Sequence, residues 1–281
     1  MNDPWLDVWL IRRQEPAAGH GPLAVAELDE RERARADRFL NPRGRLLYLS
    51  AHIGLRRILA RYTGVPPDAI RFTREPCPVC GGPHGRPELA ETPPRIRFSL
   101  SHSGGLVLVA VAASAVGADL QARPSPATVE ACLTALHPVE RAELERLPEP
   151  GRTAAFARLW TRKEAYLKGT GAGLCRGAAS AYLGEGTGDG TEDGSAERPP
   201  GWTVIDMGPV GDRPHAAAVA VRGAPAGPVV PRPLPPSFLW AGAARPGEVR
   251  SDERREIPVR GRAGAAAPGT GRVFANGPGP R

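Results

Sequence analysis

A long helix is predicted to run into the segment WTRKEAYLKGTGAGL, residues 160–174, and the rest of the fold must pack around it. Four residues recur at steps of four and form one ridge on such a helix, namely Phe156, Trp160, Glu164 and Lys168. The ridge begins with two aromatic rings and ends in a carboxylate and an ammonium, which places its charged end at the edge of a cleft. We expect Thr153 to cap the helix and the glycines at 169, 171 and 173 to end it in a loop.

Lysine usage marks the same stretch. Of the 37 Lys and Arg residues in the chain, only Lys163 and Lys168 are lysines. A lysine kept among so many arginines indicates a position that needs a compact ammonium, because arginine is larger, planar and does not release its proton. For Lys168, which lies on the ridge, we predict a functional role. For Lys163, which lies off the ridge, a surface Glu-Lys pair worth roughly 0.3–0.5 kcal/mol is an equally good interpretation.

Helical and alternating patterns predict a mixed α+β chain. Besides the central helix, helices are predicted at residues 28–40, 46–62, 129–136 and 138–147. Strands are predicted at residues 5–12, 71–73, 96–100, 106–112, 116–121, 202–207 and 216–221. We expect the three strands in the middle of this series to form an antiparallel meander, whose first connection is the turn SHSGG at residues 101–105.

A faint internal repeat relates the two parts of the chain. LDERERARADRF at residues 28–39 aligns with LHPVERAELERL at residues 136–147, so that Glu32 matches Glu140. The long helices that follow align one residue out of step, and the order of elements repeats as well. We therefore predict an α+β fold of two similar α/β halves, packed as an intramolecular pseudo-dimer with the active site in the cleft between them.

Composition sets the expected limits of these halves. The first would span residues 1–113 and the second residues 114–222, with a Gly-rich flexible insertion at 184–201. Residues 223–281 form a Pro/Gly/Arg-rich segment that we expect to be a disordered tail, with the apolar residues 238–240 docking on the folded part. The tail carries nine Arg against four Asp and Glu, so it accounts for most of the formal net charge of +7. Net charge therefore indicates little about partners.

Two features bear on the cellular compartment. No apolar run approaches the roughly 20 residues needed to span a bilayer, and the N-terminus lacks a signal-peptide pattern, so we expect a cytoplasmic protein. Four cysteines in a chain of 281 residues do not indicate a disulfide framework.

Three polar residues are predicted to meet at the cleft. Asp119 lies at the end of a strand in VGADLQ, Glu164 on the central helix and His102 in the turn SHSGG. Magnesium usually takes one or two protein carboxylates, with water and phosphate oxygens completing its shell, so Asp119 with Glu164 would suit it. Taken alone, Asp119 would be interpreted as a turn residue and His102 as a loop histidine bonded to its own turn.

Taken together, these motifs resemble the 4′-phosphopantetheinyl transferase superfamily, in its larger pseudo-dimeric form that activates peptide and polyketide synthetases. The resemblance rests on FSLSHSGG from Phe98, VGADLQ from Val116 and WTRKEAYLKGTGAGL from Trp160. GRPEL from Gly85 and an arginine-rich helical pair at residues 31–57 support it, and it spans about residues 5–222. Three motifs in the right order make the resemblance specific, whereas any one of them would be weak.

The family resemblance implies a reaction and the residues that serve it. Such enzymes move the phosphopantetheine arm of coenzyme A to a serine of a carrier protein and release adenosine 3′,5′-bisphosphate. By resemblance, Asp119 and Glu164 hold Mg²⁺ against the pyrophosphate. Glu164, directly or through water, would help to remove the serine proton, and Lys168 would steady the developing charge or the leaving group. Phosphoryl transfer depends on such positioning and charge neutralisation more than on covalent help.

The resemblance also implies how the nucleotide is held. His102 would contact a phosphate, with Ser101 beside it in the same motif. The remaining contacts to the nucleotide and its 3′-phosphate would come from Gly85, Arg86 and Pro87 and from the arginines Arg35, Arg43 and Arg45. The expected partners are acyl or peptidyl carrier proteins, or carrier domains of polyketide, peptide or fatty-acid synthases. The protein itself is expected to be a monomer that binds neither membrane nor nucleic acid.

The chain departs from the family pattern at one position. Many relatives carry a second acid two residues after the strand aspartate, where this chain has Gln121. A neutral amide can orient a metal-bound water, so we expect altered metal affinity and retained activity.

Three other interpretations remain open. Cys77, Cys80 and His84 have the start of a zinc-knuckle spacing, but no fourth ligand is evident nearby, since Cys132 and Cys175 lie far along the chain. A catalytically silent coenzyme A-binding scaffold would keep the cleft without needing Asp119. A basic nucleic-acid-binding module would bind oligonucleotides in a salt-sensitive way, but it assigns no task to Asp119, Glu164 or the lysines.

Overall fold

The structure is a computed structural model that describes residues 5–15, 21–90, 96–173, 177–184, 199–211 and 215–242. Its first part contains the strands β1 (Leu6–Arg12), β2 (Phe72–Arg74), β3 (Pro87–Leu89), β4 (Arg97–Ser103) and β5 (Leu106–Ala112), with the helices α1 (Glu30–Asp37) and α2 (Pro42–Thr63). The second part contains β6 (Val116–Ala122), α3 (Pro126–Cys132), α4 (Pro138–Glu145), α5 (Gly151–Thr170), β7 (Trp202–Asp206), β8 (His215–Arg222) and β9 (Arg232–Pro233). The mixed α+β class predicted from the sequence is confirmed.

A four-stranded sheet forms the core of the first part, in the order β4-β5-β1-β9. β1 and β5 run antiparallel with Leu6 opposite Ala112, and every residue of β5 is buried. The uninterrupted apolar sequence of β5 follows from this burial on both faces. Helix α2 packs beside the sheet, and a side chain at Gly54 would meet the Ile11 side chain of β1 at 2.4 Å, so glycine allows the two elements to approach closely.

A three-stranded antiparallel sheet in the order β6-β8-β7 forms the core of the second part. Helix α5 lies across β6 and β8, with Phe156, Leu159 and Leu167 in a buried cluster that includes Ala218 and Ala220 of β8. The small side chains of β8 let the helix approach the sheet. The residues at steps of four therefore lie on one side of α5. The last turn of α5 packs against β6, the strand that carries Asp119.

The predicted three-strand meander is wrong in its third strand. β4 and β5 pair as expected, but β6 pairs with β8 and not with β5. β6 still lies next to β4, because three serine hydroxyls of β4 accept hydrogen bonds from backbone N–H groups of β6. These bonds run from Ala118 to Ser99 at 3.0 Å, from Leu120 to Ser101 at 3.3 Å and from Ala122 to Ser103 at 2.9 Å. Side chains thus satisfy backbone donors that a strand ladder would otherwise pair.

Two local predictions are also wrong. His102 is part of β4, opposite Val107, and the turn is formed by Gly104 and Gly105, both at positive φ. Thr153 does not cap α5, because the helix begins at Gly151 and the Thr153 hydroxyl donates to the Glu149 carboxylate from inside the first turn. The predicted glycine stop is confirmed at Gly171, which adopts the left-handed conformation at the helix end.

The first part of the tail is ordered, contrary to the expectation for residues 223–281. β9 pairs in parallel with β1, and Leu234, Leu239 and Trp240 are buried. The carbonyl of Phe238 accepts a hydrogen bond from Arg57 at 2.7 Å, which confirms that residues 238–240 dock on the folded part. The apolar cluster and the unpaired edge of β1 supply the burial that a purely polar tail would lack. Residues 243–281 of the tail and 185–198 of the expected insertion lie outside the described residues.

The internal repeat corresponds to a repeated structural arrangement. Glu32 and Glu140 occupy the third position of α1 and α4, and each completes a capping box with the residue that precedes its helix. Each glutamate also binds a buried cation of the next long helix: Arg56 of α2 lies 2.7 Å from Glu32, and Lys163 of α5 lies 2.6 Å from Glu140. The matching positions therefore carry a buried glutamate–cation pair in both parts of the chain.

Lys163 is consequently not part of a surface pair. It is 1% exposed, and its ammonium also donates to the carbonyls of Ala178 and Ala181 at 2.7 and 2.6 Å. Burial lowers the pKa of Lys163, while the carboxylate of Glu140 acts in the opposite direction. The lysine joins α5, α4 and the loop near residue 180.

No helix in the described part of the chain has the length and apolarity needed to cross a membrane.

Candidate active site

A cleft of about 1050 Å³ runs past the end of α5. Its walls come from α1 and the middle of α2, from β2 and β3, from β4 and from the last turn of α5. The cations in its lining are Arg31, Arg35, Arg71, Arg74, Arg86 and Lys168. Three acids lie in the same wall, Asp29, Glu30 and Glu32, and two of them, Asp29 and Glu32, are bound to the buried Arg56. The cleft therefore presents an excess of positive charge, which suits an anionic ligand.

Asp119 lies on β6 beside Lys168, which lines the cleft, but Asp119 does not itself line it. Its carboxylate is buried and accepts hydrogen bonds from the Lys168 ammonium at 2.5 Å and from the Ser101 hydroxyl at 2.8 Å. Ser101 in turn accepts a hydrogen bond from Lys168 at 3.3 Å. Ser101 of β4, Asp119 of β6 and Lys168 of α5 thus form one cluster, whereas the sequence motifs predicted that Asp119 would meet Glu164 and His102.

Glu164 lies one turn before Lys168 on the same ridge of α5. Within the described part of the chain, no hydrogen bond or ion pair holds its carboxylate. Burial raises the pKa of Glu164, and the nearby Asp119 raises it further, while Lys168 lowers it. A half-buried carboxylate without a protein partner beside a second carboxylate is electrostatically unfavourable in the protein alone. Such a pair has the charge and the hard oxygen ligands that a divalent cation requires.

His102 stands on the opposite side of β4 from Ser101. His102 is exposed, but desolvation by its neighbours lowers its pKa, and the side chains of His52, Lys168 and Arg35 act in the same direction. The imidazole is therefore neutral near pH 7 and offers one N–H donor to an anion. The structure places His102 among the cations of the cleft region, although its location in a strand differs from the predicted turn.

The Gly85-Arg86-Pro87 segment lines the cleft, as predicted. A side chain at Gly85 would meet the carbonyl oxygen of Glu75 at 2.3 Å, so only glycine fits there. The guanidinium of Arg86 donates to the Glu75 carboxylate at 2.6 Å and to the carbonyl of Gly169 at 2.6 Å. Arg86 therefore ties the end of β2 to the C-terminal turn of α5 and fixes one wall of the cleft.

The structure brings only part of the predicted arginine set to the cleft. Arg35 lines it and lies 6.0 Å from the centre of the Tyr48 ring. Arg45 does not line it and instead pairs with the exposed Asp37 at 2.9 Å. Sequence reasoning missed the cleft residues Arg31, Arg71 and Arg74. For Arg74 a signal existed in the sequence, since it directly follows the predicted strand at 71–73. In the structure its guanidinium donates to the carbonyl of Gly85 at 2.9 Å.

Sequence reasoning also missed the residue that sets the distance between β6 and α5. A side chain at Gly117 would lie 1.9 Å from the carbonyl oxygen of Ala165 and 2.3 Å from the amide nitrogen of Gly169. Strand and helix backbones therefore touch at this point. Gly117 precedes Asp119 by two residues and shares its face of the strand. The contact of glycine with the helix thus explains how Asp119 reaches Lys168.

Comparison with known proteins identifies two family models in the chain. One, described as the 4′-phosphopantetheinyl transferase superfamily, matches residues 115–191. The other, described as the N-terminal domain of 4′-phosphopantetheinyl transferase, matches residues 14–114. The two matches are adjacent and together cover most of the residues that form the fold.

Several curated proteins are similar to the chain. A putative 4′-phosphopantetheinyl transferase of Synechocystis is 33% identical over 177 residues, which are 62% of this chain and 68% of the relative. The 4′-phosphopantetheinyl transferase HetI of Nostoc is 33% identical over 220 residues, or 77% of this chain and 87% of the relative. The 4′-phosphopantetheinyl transferase Sfp of Bacillus subtilis is 25% identical over 146 residues, or 52% of this chain and 60% of the relative.

Proposed function

Because the chain belongs to the 4′-phosphopantetheinyl transferase superfamily and is a transferase of that kind, we propose that it moves the phosphopantetheine arm of coenzyme A to a serine of an apo carrier protein. In this reaction the serine oxygen forms a bond to the phosphorus that bears the arm, and the bond from that phosphorus to adenosine 3′,5′-bisphosphate breaks. The serine proton goes to a base. The observation that carries the proposal is the cluster of Asp119, Ser101 and Lys168 beside Glu164, whose carboxylate has no hydrogen bond or ion pair within the described residues. Lys168 connects this cluster to the cationic cleft.

Asp119 and Glu164 fit the Mg²⁺ ion that this family generally uses. The fit rests on charge: Lys168 supplies one positive charge to Asp119, and no hydrogen bond or ion pair to Glu164 is found within the described residues. When bound, Mg²⁺ would neutralise charge on the pyrophosphate during transfer. Carboxylates are hard oxygen ligands, so the pair of Asp119 and Glu164 agrees with magnesium better than with a soft metal.

The residues of the chain supply positioning and proton transfer. The carboxylate of Glu164 accepts the serine proton, directly or through water. The ammonium of Lys168 holds Asp119 in place and lies in the cleft wall, where it meets the charge of the departing phosphate. His102 donates its N–H to a phosphate oxygen, and the arginines of the cleft hold the nucleotide.

The pseudo-dimeric arrangement is part of the same proposal. Support comes from the matching Glu32–Arg56 and Glu140–Lys163 pairs and from the two long helices, α2 and α5, which both end in Thr-Gly with the glycine in the left-handed conformation. The serine hydrogen bonds between β4 and β6 join the two sheets. The cleft then takes α1, β2 and β3 from the first half and the end of α5 from the second.

The test is the intact mass of a purified apo carrier protein after incubation with this protein, coenzyme A and Mg²⁺. We expect a mass increase equal to one phosphopantetheine group on the carrier serine, and its loss when a chelator removes the metal. A carrier whose serine is replaced by alanine serves as the control. If carriers from several pathways stay unmodified although coenzyme A binds measurably, the protein is a silent coenzyme A-binding scaffold.

We expect Lys168→Arg to slow transfer about tenfold although the charge is kept. The ammonium fits between Asp119 at 2.5 Å and Ser101 at 3.3 Å, a site sized for a point charge, and the planar guanidinium is too large for it. The measurement is the rate of carrier modification at saturating coenzyme A. Arg141→Lys, which alters an exposed pair with Glu145 on α4, is the matched control and should leave the rate unchanged. Wild-type rates for Lys168→Arg would show that any cation suffices there.

We expect Gln121→Glu to lower the Mg²⁺ concentration that gives half-maximal rate, by a factor of about 3–10. Gln121 follows Asp119 by two residues on β6, so its side chain shares the face of the predicted metal ligands, and an added carboxylate raises the affinity for a cation. The measurement is a magnesium titration of the transfer rate. Gln121→Ala is the control for loss of the amide alone. An unchanged magnesium requirement in Gln121→Glu would place position 121 outside the metal site.

A further inference from the structure

The segment PCPVCGGPHG, residues 76–85, forms a tight loop between β2 and β3, here called the cysteine loop. It contains three residues with metal-binding side chains, Cys77, Cys80 and His84. Their ligand atoms all lie within 4.8 Å of one another, and the Cys80 sulfur lies 3.0 Å from Nε2 of His84. In the sequence, two residues separate Cys77 from Cys80 and three separate Cys80 from His84, and the fold brings the three side chains together.

The cluster is compact enough to close around a single tetrahedral zinc ion. Zinc binds thiolate sulfur at about 2.3 Å and imidazole nitrogen at about 2.0–2.1 Å, so two sulfur ligands lie about 3.8 Å apart and a sulfur and a nitrogen about 3.6 Å apart. A cluster whose three ligand atoms span no more than 4.8 Å reaches these separations with small side-chain rotations. Two thiolates would balance the charge of Zn²⁺, and soft sulfur ligands favour zinc over the magnesium of the active site.

The backbone of the cysteine loop is built around these three side chains. The amide of Gly81 donates to the carbonyl of Cys77, and the amide of Cys77 donates to the carbonyl of Gly82, both at 2.8 Å. Gly81 adopts a positive φ of 72°, which glycine accommodates without strain. A side chain at Gly82 would meet the His84 ring at 3.0 Å and the Cys80 sulfur at 3.3 Å. The glycines thus leave room for the three ligands to converge.

The loop has few other means of staying folded. Only Cys77 and Gly85 among its residues are buried, and Val79 is 53% exposed. A loop rich in proline and glycine with so little apolar burial gains much of its order from a metal where one is bound. The loop forms part of the cleft wall, because Pro83, His84 and Gly85 line the cleft. Arg86, the residue that follows the loop, lines the cleft too.

We propose that Cys77, Cys80 and His84 bind one Zn²⁺ ion, with solvent as the fourth ligand. The ion fixes the cysteine loop and, through it, the position of Arg86 against the end of α5. Zinc binding itself is independent of the function proposed above. Only its consequence for coenzyme A rests on that function: a loop without zinc would raise the KM for coenzyme A and change the turnover number little.

The first test is the metal content of the full-length protein, purified without a metal-affinity step and in the presence of a thiol reductant. We expect about one zinc per chain by elemental analysis. Replacement of zinc by Co²⁺ should give the visible absorption of tetrahedral cobalt and a thiolate-to-cobalt charge-transfer band. Cys77→Ser and Cys80→Ser should each weaken metal binding more than about a hundredfold. Cys132→Ser, outside the cluster, is the matched control and should keep the metal.

A second measurement links the metal to the loop. A zinc-selective chelator, added with Mg²⁺ held constant, should lower the melting temperature of the wild type and of Cys132→Ser but not that of Cys80→Ser. Metal content near zero in the wild type and in all three cysteine variants, both after purification and after zinc addition, would overturn the proposal. So would a disulfide between Cys77 and Cys80 that forms in the wild type and persists under the reducing conditions used. Bound zinc together with an absent transfer reaction would leave the zinc site standing and the proposed function contradicted.

Discussion

Glu164→Gln is expected to lower the rate of carrier modification by a factor of about 10²–10⁴, the range typical for loss of a group that transfers a proton. The amide keeps the shape of the side chain, but it cannot accept the serine proton and it carries no charge for a metal. Asp119→Asn should act in the same direction, because it removes the other carboxylate of the pair. The measurement is the rate of mass increase of a carrier protein at saturating coenzyme A and Mg²⁺.

The stability of Glu164→Gln separates a chemical role from a structural one. The folded protein raises the pKa of Glu164 above its ordinary value of 4.5, chiefly through burial. A carboxyl with a raised pKa reduces stability once the pH exceeds its unfolded value, because the charged form is disfavoured in the fold. At pH 7 the variant should therefore unfold at the same temperature as the wild type or higher. A large loss of stability, or full activity in the variant, would contradict the assigned role.

Much of the candidate site could be predicted from the sequence because its signals are local. Helical periodicity places Glu164 and Lys168 on one ridge wherever the helix lies, and the glycine at 171 marks its end. The strand pattern at 116–121 places Asp119 on a strand, but Ser101, expected in a turn, lies on β4 in the structure, where both side chains are buried. Ser101 lies 18 residues before Asp119 in the sequence and Lys168 lies 49 residues after it, and both side chains contact the Asp119 carboxylate in the structure.

The parts that could not be predicted depend on contacts between distant residues. No local pattern shows that the serines of β4 would bond to the backbone of β6, so an ordinary meander was the natural expectation. Lys163 was ambiguous because its partner, Glu140, lies on another helix, and burial is not visible in helical spacing. The order of residues 232–240 depends on the open edge of β1, which only the assembled sheet reveals.

Gly117→Ala is expected to lower the free energy of unfolding by about 3 kcal/mol or more, at the upper end of the range for overpacking a core. The new methyl group would lie 1.9 Å from the carbonyl oxygen of Ala165 and 2.3 Å from the amide nitrogen of Gly169. Both are backbone atoms of α5, so no side-chain rotation relieves the clash, and the helix must move away from β6. That movement stretches the contact between Lys168 and Asp119, so transfer should slow even in the molecules that remain folded.

Three glycine-to-alanine variants provide a graded test of this close approach, measured by thermal unfolding and by transfer rate. Gly169→Ala should be milder than Gly117→Ala, because its methyl group would meet the Trp202 ring at 2.7 Å, and a side chain can shift. Gly151→Ala, at the start of α5, meets nothing within 4 Å and should be neutral or stabilising by up to about 1 kcal/mol, since alanine favours helices. With roughly 2–4 °C lost per kcal/mol, Gly117→Ala should melt about 6–12 °C below the wild type. If it melts with the wild type and transfers at the same rate, the contact between β6 and α5 does not set the geometry of the two carboxylates, and their arrangement must depend on the serine hydrogen bonds of β4.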